Sequence, residues 1–139
     1  MNHRPILLVE DNPMDVDLTL RAFKRRRVTN TIHVARDGEE ALAWLPRWEG
    51  GGTWPAVSLL DLKLPKVDGL EVLRQLKGHP TLCVIPVVAL TTSEESADVQ
   101  ATYHLGVNSY IVKPVEFDKF MEVSEKVDLY WTVVNKRSY

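Results

Sequence analysis

The stretch VSLLDLKLPKVDG, residues 57–69, determines how the rest of the chain is interpreted. Its first four residues are typical of a buried strand, and they lead directly into the carboxylate of Asp61. A charged group at the end of a buried strand costs free energy unless another group pairs with it. Further on, Asp68 and Glu71 have the spacing of a helix-capping box. The residues that lie beside Asp61 therefore decide what this region can do.

Short apolar runs alternate with helical periods along the whole chain. The runs are ILLV (6–9), TIHVA (31–35), AVSLL (56–60), VIPVVAL (84–90) and SYIV (109–112). Between them, apolar residues recur every three or four positions, as in amphipathic helices. Because helices that alternate with strands are the usual crossovers of a parallel sheet, the sequence predicts a doubly wound α/β fold with five parallel strands and five helices.

The composition restricts the functional class. The chain has 139 residues, a net charge of -2 and one cysteine, Cys83. One domain of this size can build a proper core, and the charge gives no reason to expect a nucleic-acid partner. A single cysteine fits a reducing compartment. Since no apolar stretch reaches membrane-spanning length and the N-terminus is not a signal peptide, we expect a cytoplasmic protein without membrane contact.

Polar residues follow four of the predicted strands. Ligands of an open parallel sheet bind beyond the carboxyl ends of its strands, so these side chains should face one crevice. They are Glu10, Asp11, Asp61, Thr91, Thr92 and Lys113, with Pro114 next in the chain. Three neighbouring carboxylates repel one another unless a cation neutralises them, and Mg²⁺ prefers oxygen ligands. The pattern predicts a Mg²⁺ site with a lysine and a hydroxyl beside it.

Asp61 is the candidate phosphoacceptor in this set. A lone aspartate at a strand end can present one oxygen for in-line attack, and acyl phosphates on aspartate are an established form of covalent chemistry. Phosphoryl transfer needs mainly positioning and charge neutralisation, which Mg²⁺ and Lys113 would supply. In this reading Asp15 serves only as an acidic residue in the first turn of the helix that begins at Pro13.

The motifs VEDN, LLDLKLPKVDG, LTTS and SYIVKP resemble, in order and spacing, those of bacterial response-regulator receiver domains, from about residue 5 to about residue 127. The resemblance implies a flavodoxin-like sheet of order 2-1-3-4-5 and phosphorylation by a histidine kinase. It implies that Asp61 accepts the phosphoryl group and that Asp11 binds the metal directly. Glu10 would help through water, and the backbone carbonyl of Lys63 would complete the protein ligands.

The resemblance also assigns roles around Lys113. This lysine would bind the phosphoryl group, Thr91 and Tyr110 would move together on phosphorylation, and the bond before Pro114 would be cis. Two departures accompany these roles: the acidic pair is Glu-Asp where many receivers have Asp-Asp, and Lys63 is cationic where the family often has a neutral side chain. The sequence therefore does not predict the lifetime of the phosphorylated state.

Further segments resemble the stand-alone receivers that partner bacterial phytochrome histidine kinases. They are VEDNPMD, ARDGEEAL, NSYIVKPVEF, YWTVVN and the Gly-rich stretch 46–55, which we interpret as a surface loop with Trp48 and Trp54 partly exposed. The resemblance implies one receiver domain over residues 1–139, with no output domain and an unidentified downstream partner.

The end of the chain predicts a homodimer. A last helix over about residues 116–135 would be apolar nearly all round and would need a second surface to cover it. The residues of this surface are Tyr110, Leu129, Tyr130, Trp131 and Val134.

Three alternatives compete with a phosphoaccepting receiver. A Mg²⁺-dependent phosphohydrolase with an aspartyl-phosphate intermediate typically carries an acid two residues after its nucleophile, where this chain has Lys63. A flavin-binding module would need a phosphate-cradling loop after the first strand, where this chain has EDNPMD. A pseudo-receiver that works without phosphorylation is disfavoured because every site residue is present.

Overall fold

In the computed structural model of the chain, residues 4–92 and 97–126 are described. Five strands form one parallel sheet in the order β2-β1-β3-β4-β5. They are β1 (Ile6–Val9), β2 (Ile32–Ala35), β3 (Val57–Asp61), β4 (Val87–Thr91) and β5 (Ser109–Val112). This arrangement confirms the predicted fold class and strand order.

Helices connect the strands in the described parts of the chain. They are α1 (Pro13–Arg25), α2 (Gly38–Leu42), α3 (Trp44–Glu49), α4 (Gly69–Lys77), α5 (Ala97–His104) and α6 (Phe117–Lys126), with a short 3-10 turn at Leu82–Val84. The helical segment between β2 and β3 is divided in two at Ala43, which caps both α2 and α3. Pro46 has no amide hydrogen, so it cannot continue the hydrogen-bond ladder of α2.

The expected surface loop at 46–55 begins later than predicted. Residues 46–49 lie in α3, and only the stretch from Gly50 onward is irregular. Trp48 is 4% exposed, so the expectation that it is partly exposed was wrong, whereas Trp54 is half-buried as expected. The Trp54 indole donates a hydrogen bond to the Trp48 carbonyl at 3.2 Å. Trp48 is buried by tertiary packing on the inner face of a short helix. The neighbouring Gly-rich stretch is typical of a loop, so the sequence does not indicate this burial.

The central strands β1, β3 and β4 are buried along their whole length, which explains why they are largely apolar, whereas the edge strands β2 and β5 are half-buried. On one face, α1 and α6 pack against β1 and β3, with the Phe23 and Phe120 rings 4.7 Å apart at their centroids. On the other face, α2, α3 and α4 supply Ala41, Trp48 and Leu73. Alternate residues of the central strands therefore enter alternate core layers, and the charged groups lie at the strand ends.

Capping residues begin α1 and α4 at the positions that the sequence predicts. The Asn12 side chain accepts hydrogen bonds from the amides of Met14 and Asp15, and Asp68 caps α4.

No helix in residues 4–92 and 97–126 is both long enough and apolar enough to cross a membrane. The predicted extension of the last helix to about residue 135 lies outside the described residues, as do Leu129, Tyr130, Trp131 and Val134.

The loop after Asp61 is held closely against the start of α2. A Cβ atom on Gly38 would lie 2.0 Å from the carbonyl oxygen of Val67, and one on Gly69 would lie 2.3 Å from that of Asp61. Lys66 reaches back across the same contact, with Nζ 3.5 Å from Asp37 Oδ2. These contacts fix the backbone that follows Asp61, and they require glycine at both positions.

We expect Gly38→Ala to lower the free energy of unfolding by about 2 kcal/mol, as overpacking typically does. Helix propensity alone would change stability in the opposite direction, by about 1 kcal/mol in favour of alanine. Urea denaturation followed by circular dichroism measures the difference. The matched control is Gly50→Ala, where the nearest atom, the Pro46 carbonyl oxygen, is 3.3 Å from the new Cβ. A Gly38→Ala protein as stable as the parent would show that the loop containing Val67 moves to accommodate the added methyl group without cost.

Candidate functional site

A cleft of about 320 Å³ opens at the carboxyl ends of β1, β3, β4 and β5. It forms beside β1, where the strand order reverses and consecutive crossover helices depart to opposite faces of the sheet. The residues predicted for the site line it together: Glu10, Asp11, Asp61, Lys63, Thr91, Thr92 and Lys113. Asn12, Asp15, Leu62 and Leu90 complete the lining. The sheet thus brings together residues that are more than a hundred positions apart in the chain, such as Glu10 and Lys113.

Lys113 lies at the centre of the cleft. Its Nζ is 2.8 Å from Asp61 Oδ2 and 2.7 Å from Glu10 Oε1. The backbone amide of Lys113 donates to the Thr91 carbonyl at 2.7 Å, and the Lys113–Pro114 peptide bond is cis. Burial alone would lower the pKa of Lys113, but hydrogen bonds and attraction from Asp61 and Glu10 outweigh it and raise the pKa above its ordinary value. The ammonium group is therefore charged throughout the physiological pH range.

Asp61 presents its carboxylate to the cleft in a fixed orientation. Its side chain is 8% exposed, and Oδ1 accepts a hydrogen bond from the Lys63 amide at 3.1 Å while Oδ2 contacts Lys113. Strand β3 supplies the position, and the loop pinned by Gly38 and Gly69 supplies the Lys63 amide. Both oxygens are thus partnered by groups from different segments of the chain.

Glu10 is the most deeply buried acid of the cleft. Its side chain is 2% exposed, and Oε2 accepts from the Asn12 amide at 3.2 Å. Burial, and then its contact with Asp61, raises the pKa of Glu10 to about 7, although Lys113 acts in the opposite direction. A carboxyl group with this pKa is only partly ionised at neutral pH. Carboxyl groups also outnumber lysines in the cleft lining, by four to two.

Three of the carboxyl groups are arranged as ligands for a cation. One oxygen each from Glu10, Asp11 and Asp61 can be chosen so that all lie within 4.8 Å of one another. The cleft offers oxygen donors and contains no histidine or cysteine. An all-oxygen set suits a hard divalent ion such as Mg²⁺, which binds one or two carboxylates and keeps several waters. The residues present therefore fit the predicted metal.

Thr91 and Tyr110 lie at different distances from the cleft. Thr91 ends β4, is buried and lines the cleft, whereas Tyr110 lies outside it on β5. The Tyr110 ring is half-buried and meets the ring of Tyr103 edge-on, with the centroids 6.1 Å apart. Tyr103 itself is 50% exposed on α5. The two predicted switch residues thus belong to the neighbouring strands β4 and β5, one inside the cleft and one facing α5.

Sequence reasoning missed Asp15 as a member of the site. Its Oδ2 lies 3.2 Å from Lys113 Nζ, so Lys113 contacts three carboxylates rather than two. Side chains on a helix point back toward its N-terminus, so an acid in the first turn of α1 reaches the end of β1. That geometric rule, applied to the helix that leaves the acidic strand end, is the signal that would have identified Asp15.

The chain matches known proteins over nearly its whole length. The family model described as "Response regulator receiver domain" matches residues 6–125. A probable methanogenesis regulatory protein of Methanothrix harundinacea, FilR2, is 47% identical over 132 residues, which cover 94% of this chain and 85% of that protein. Response regulator Rcp1 of Synechocystis is 39% identical over 129 residues, which cover 91% of this chain and 87% of that protein.

Solved structures of similar sequence share the fold. The bacteriophytochrome response regulator AtBRR is 50% identical with a TM-score of 0.86, covering 98% of this chain and 100% of that one. The Mn²⁺-bound form of Rcp1 is 39% identical with a TM-score of 0.73, covering 96% and 99%. The phosphorylated cyanobacterial phytochrome response regulator RcpA is 39% identical with a TM-score of 0.75, covering 94% of each chain.

We expect Glu10 to make stability depend on pH when no metal is present. Because its pKa rises from 4.5 to about 7 on folding, the folded state binds more protons than the unfolded state between these values. The free energy of unfolding should therefore fall as pH rises from about 5 to about 8, by roughly 1–3 kcal/mol.

Urea denaturation in EDTA, compared with Glu10→Gln at each pH, isolates this contribution from that of the histidines. Parent and variant should have similar stability near pH 5, and the variant should be the more stable near pH 8. Parallel pH profiles for the two proteins would contradict the assignment.

Proposed function

Because the chain belongs to the response regulator receiver domain family, we propose that it accepts a phosphoryl group on Asp61 from a sensor histidine kinase. The observation that carries this proposal is the position of the Lys113 ammonium group, which bridges Asp61 Oδ2 and Glu10 Oε1 within a cleft of carboxylates. A buried aspartate with a cation on one oxygen and a backbone amide on the other is oriented for attack on phosphorus.

The proposed step exchanges one bond to phosphorus for another. A carboxylate oxygen of Asp61 attacks the phosphorus of a phosphohistidine, the P–N bond breaks, and its electron pair returns to the imidazole. A bound Mg²⁺ would neutralise charge on the attacking carboxylate and the phosphoryl oxygens. Asp11, Asp61, the Lys63 carbonyl and, through water, Glu10 would hold it. The Lys113 ammonium group would then exchange its contact with the Asp61 oxygen for one with an oxygen of the bound phosphoryl group.

The phosphorylated site would then act on a partner-binding surface. Thr91 lines the cleft, so its hydroxyl can donate to the new phosphoryl oxygens once they occupy the space above Asp61. Tyr110 lies on the neighbouring strand against the half-exposed Tyr103, where a change of its rotamer alters the surface of α5 and β5. We propose that this local charge change biases a two-state surface that a downstream protein reads. In this role the protein is a phosphoacceptor rather than an enzyme with a separate substrate.

A bacterial phytochrome is the kinase that we propose as the phosphodonor. Support comes from the similar proteins, since AtBRR is a bacteriophytochrome response regulator and RcpA a phytochrome response regulator. We further propose that the chain acts as a single receiver domain. The homodimer stays a prediction, because four of its five surface residues lie outside the described part of the chain. The cytoplasmic location is also kept as a prediction.

We expect incubation with acetyl phosphate and Mg²⁺ to add one phosphoryl group to the chain, measured by intact mass. Asp61→Asn should take up none, because an amide is not a nucleophile of comparable strength, and the parent in EDTA should take up little. The matched control is Asp68→Asn in the same segment: asparagine also caps helices well, so this variant should react like the parent.

Each alternative function gives a different result. An adduct that persists in Asp61→Asn would place the acceptor elsewhere. Failure of the parent to react with acetyl phosphate and with a phosphorylated bacteriophytochrome kinase would indicate a pseudo-receiver. Many turnovers of phosphate released from a small phosphomonoester would instead support a phosphohydrolase.

A further inference from the structure

Asp15 contacts the central lysine of the cleft without belonging to the three-carboxylate cluster. Its Oδ2 is 3.2 Å from Lys113 Nζ, whereas the oxygens that gather within 4.8 Å come from Glu10, Asp11 and Asp61. Its partner is therefore the ammonium group rather than the space where a cation fits. Lys113 is thus shared between two acids of the sheet edge and one acid of α1.

The backbone of Asp15 is fixed from both sides. Its amide donates to the Asn12 side chain at 3.3 Å, and its carbonyl accepts from Thr19 Oγ1 at 2.9 Å. These bonds belong to the start of α1 and do not involve the carboxylate. The Asp15 carboxylate is therefore aimed at Lys113 by a rigid helix start, and its charge can be removed without removing the bonds that form the helix.

Asp15 also lies nearer the mouth of the cleft than the other acids that contact Lys113. Its side chain is 32% exposed, against 2% for Glu10 and 8% for Asp61. A negative charge at this place faces any anion that approaches Asp61, and it draws positive charge toward the interior. It therefore influences the cation and the phosphodonor in opposite directions.

We propose that Asp15 is a specificity-determining residue of the cleft, which strengthens divalent-cation binding and disfavours small anionic phosphodonors. The proposal rests on the function proposed for Asp61. Two effects of the Asp15 carboxylate both disfavour a small anionic donor. Its charge repels the donor and attracts the cation, and its contact with Lys113 takes up part of the ammonium charge that would otherwise neutralise the phosphoryl oxygens. A donor delivered by a docked protein depends less on long-range electrostatics, so it is affected less.

The test compares Asp15→Asn with Asp17→Asn in the full chain. Asp17 lies on the same helix and pairs with Arg21 at 2.9 Å on the surface, so both variants lose one negative charge from α1. Calorimetric titration gives the Mg²⁺ dissociation constant, and intact mass gives the rate of phosphoryl uptake from acetyl phosphate at saturating Mg²⁺. Circular dichroism checks that both variants fold. A third variant, Asp15→Glu, is the control that keeps the negative charge at this position.

We expect Asp15→Asn to raise the Mg²⁺ dissociation constant about 3- to 10-fold and to speed uptake from acetyl phosphate by a similar factor, as a loss of about 1 kcal/mol of Coulomb energy implies. Both effects should shrink at high salt, and the rate effect should appear mainly in the concentration of donor needed. Asp17→Asn should stay within about twofold of the parent, and Asp15→Glu should resemble the parent more closely than Asp15→Asn does.

Other outcomes overturn the proposal. Equal values for Asp15→Asn and Asp17→Asn would show that the charge has no special effect, and slower uptake in Asp15→Asn would show that Asp15 assists the reaction. If the parent accepts no phosphoryl group from any donor, the function proposed for Asp61 fails, and the Mg²⁺ measurement alone decides whether Asp15 favours the cation.

Discussion

The cleft depends on one ammonium group held among three carboxylates. Parallel strands place all their carboxyl ends on one edge of the sheet, so Glu10 and Asp61 cannot avoid each other once β1 and β3 pair. Two buried carboxylates at neighbouring strand ends would cost folding free energy without a counter-charge. Lys113, delivered by β5 on the far side of β4, supplies that charge at 2.7 and 2.8 Å. Even so, four carboxyl groups line the cleft against two lysines, and this excess of negative charge favours a bound cation.

Much of this arrangement could be predicted because it depends on periodicity and on chain order. Short apolar runs identify the five strands, and strands buried on both faces leave their charged residues to the strand ends. The residues that end β1, β3, β4 and β5 therefore meet whatever the details of packing. This is why Glu10, Asp61, Thr91 and Lys113 could be assigned to one cleft from the sequence, and why the strand order followed once the motifs were recognised.

The features that escaped prediction depend on contacts made outside the strands. Asp15 has the sequence position of an ordinary first-turn acid, and only the direction of its side chain brings it to Lys113. Trp48 sits in a Gly-rich context typical of a loop, but α3 buries its ring against the second core layer. The close approach of Gly38 to Val67 is likewise invisible in the sequence, because it joins two connections from different parts of the chain.

The Gly-rich connection between α3 and β3 offers a place to modify the protein without touching its chemistry. Residues 50–53 are exposed and precede the amino end of β3, whereas the cleft lies at the carboxyl end of the same strand. Five residues of extended strand, roughly 16 Å, separate the two. Exposed connections of small residues are the usual sites of tolerated insertion. A fluorescent or affinity module inserted there would be carried on the edge of the sheet opposite the acids, leaving their charge balance as it is.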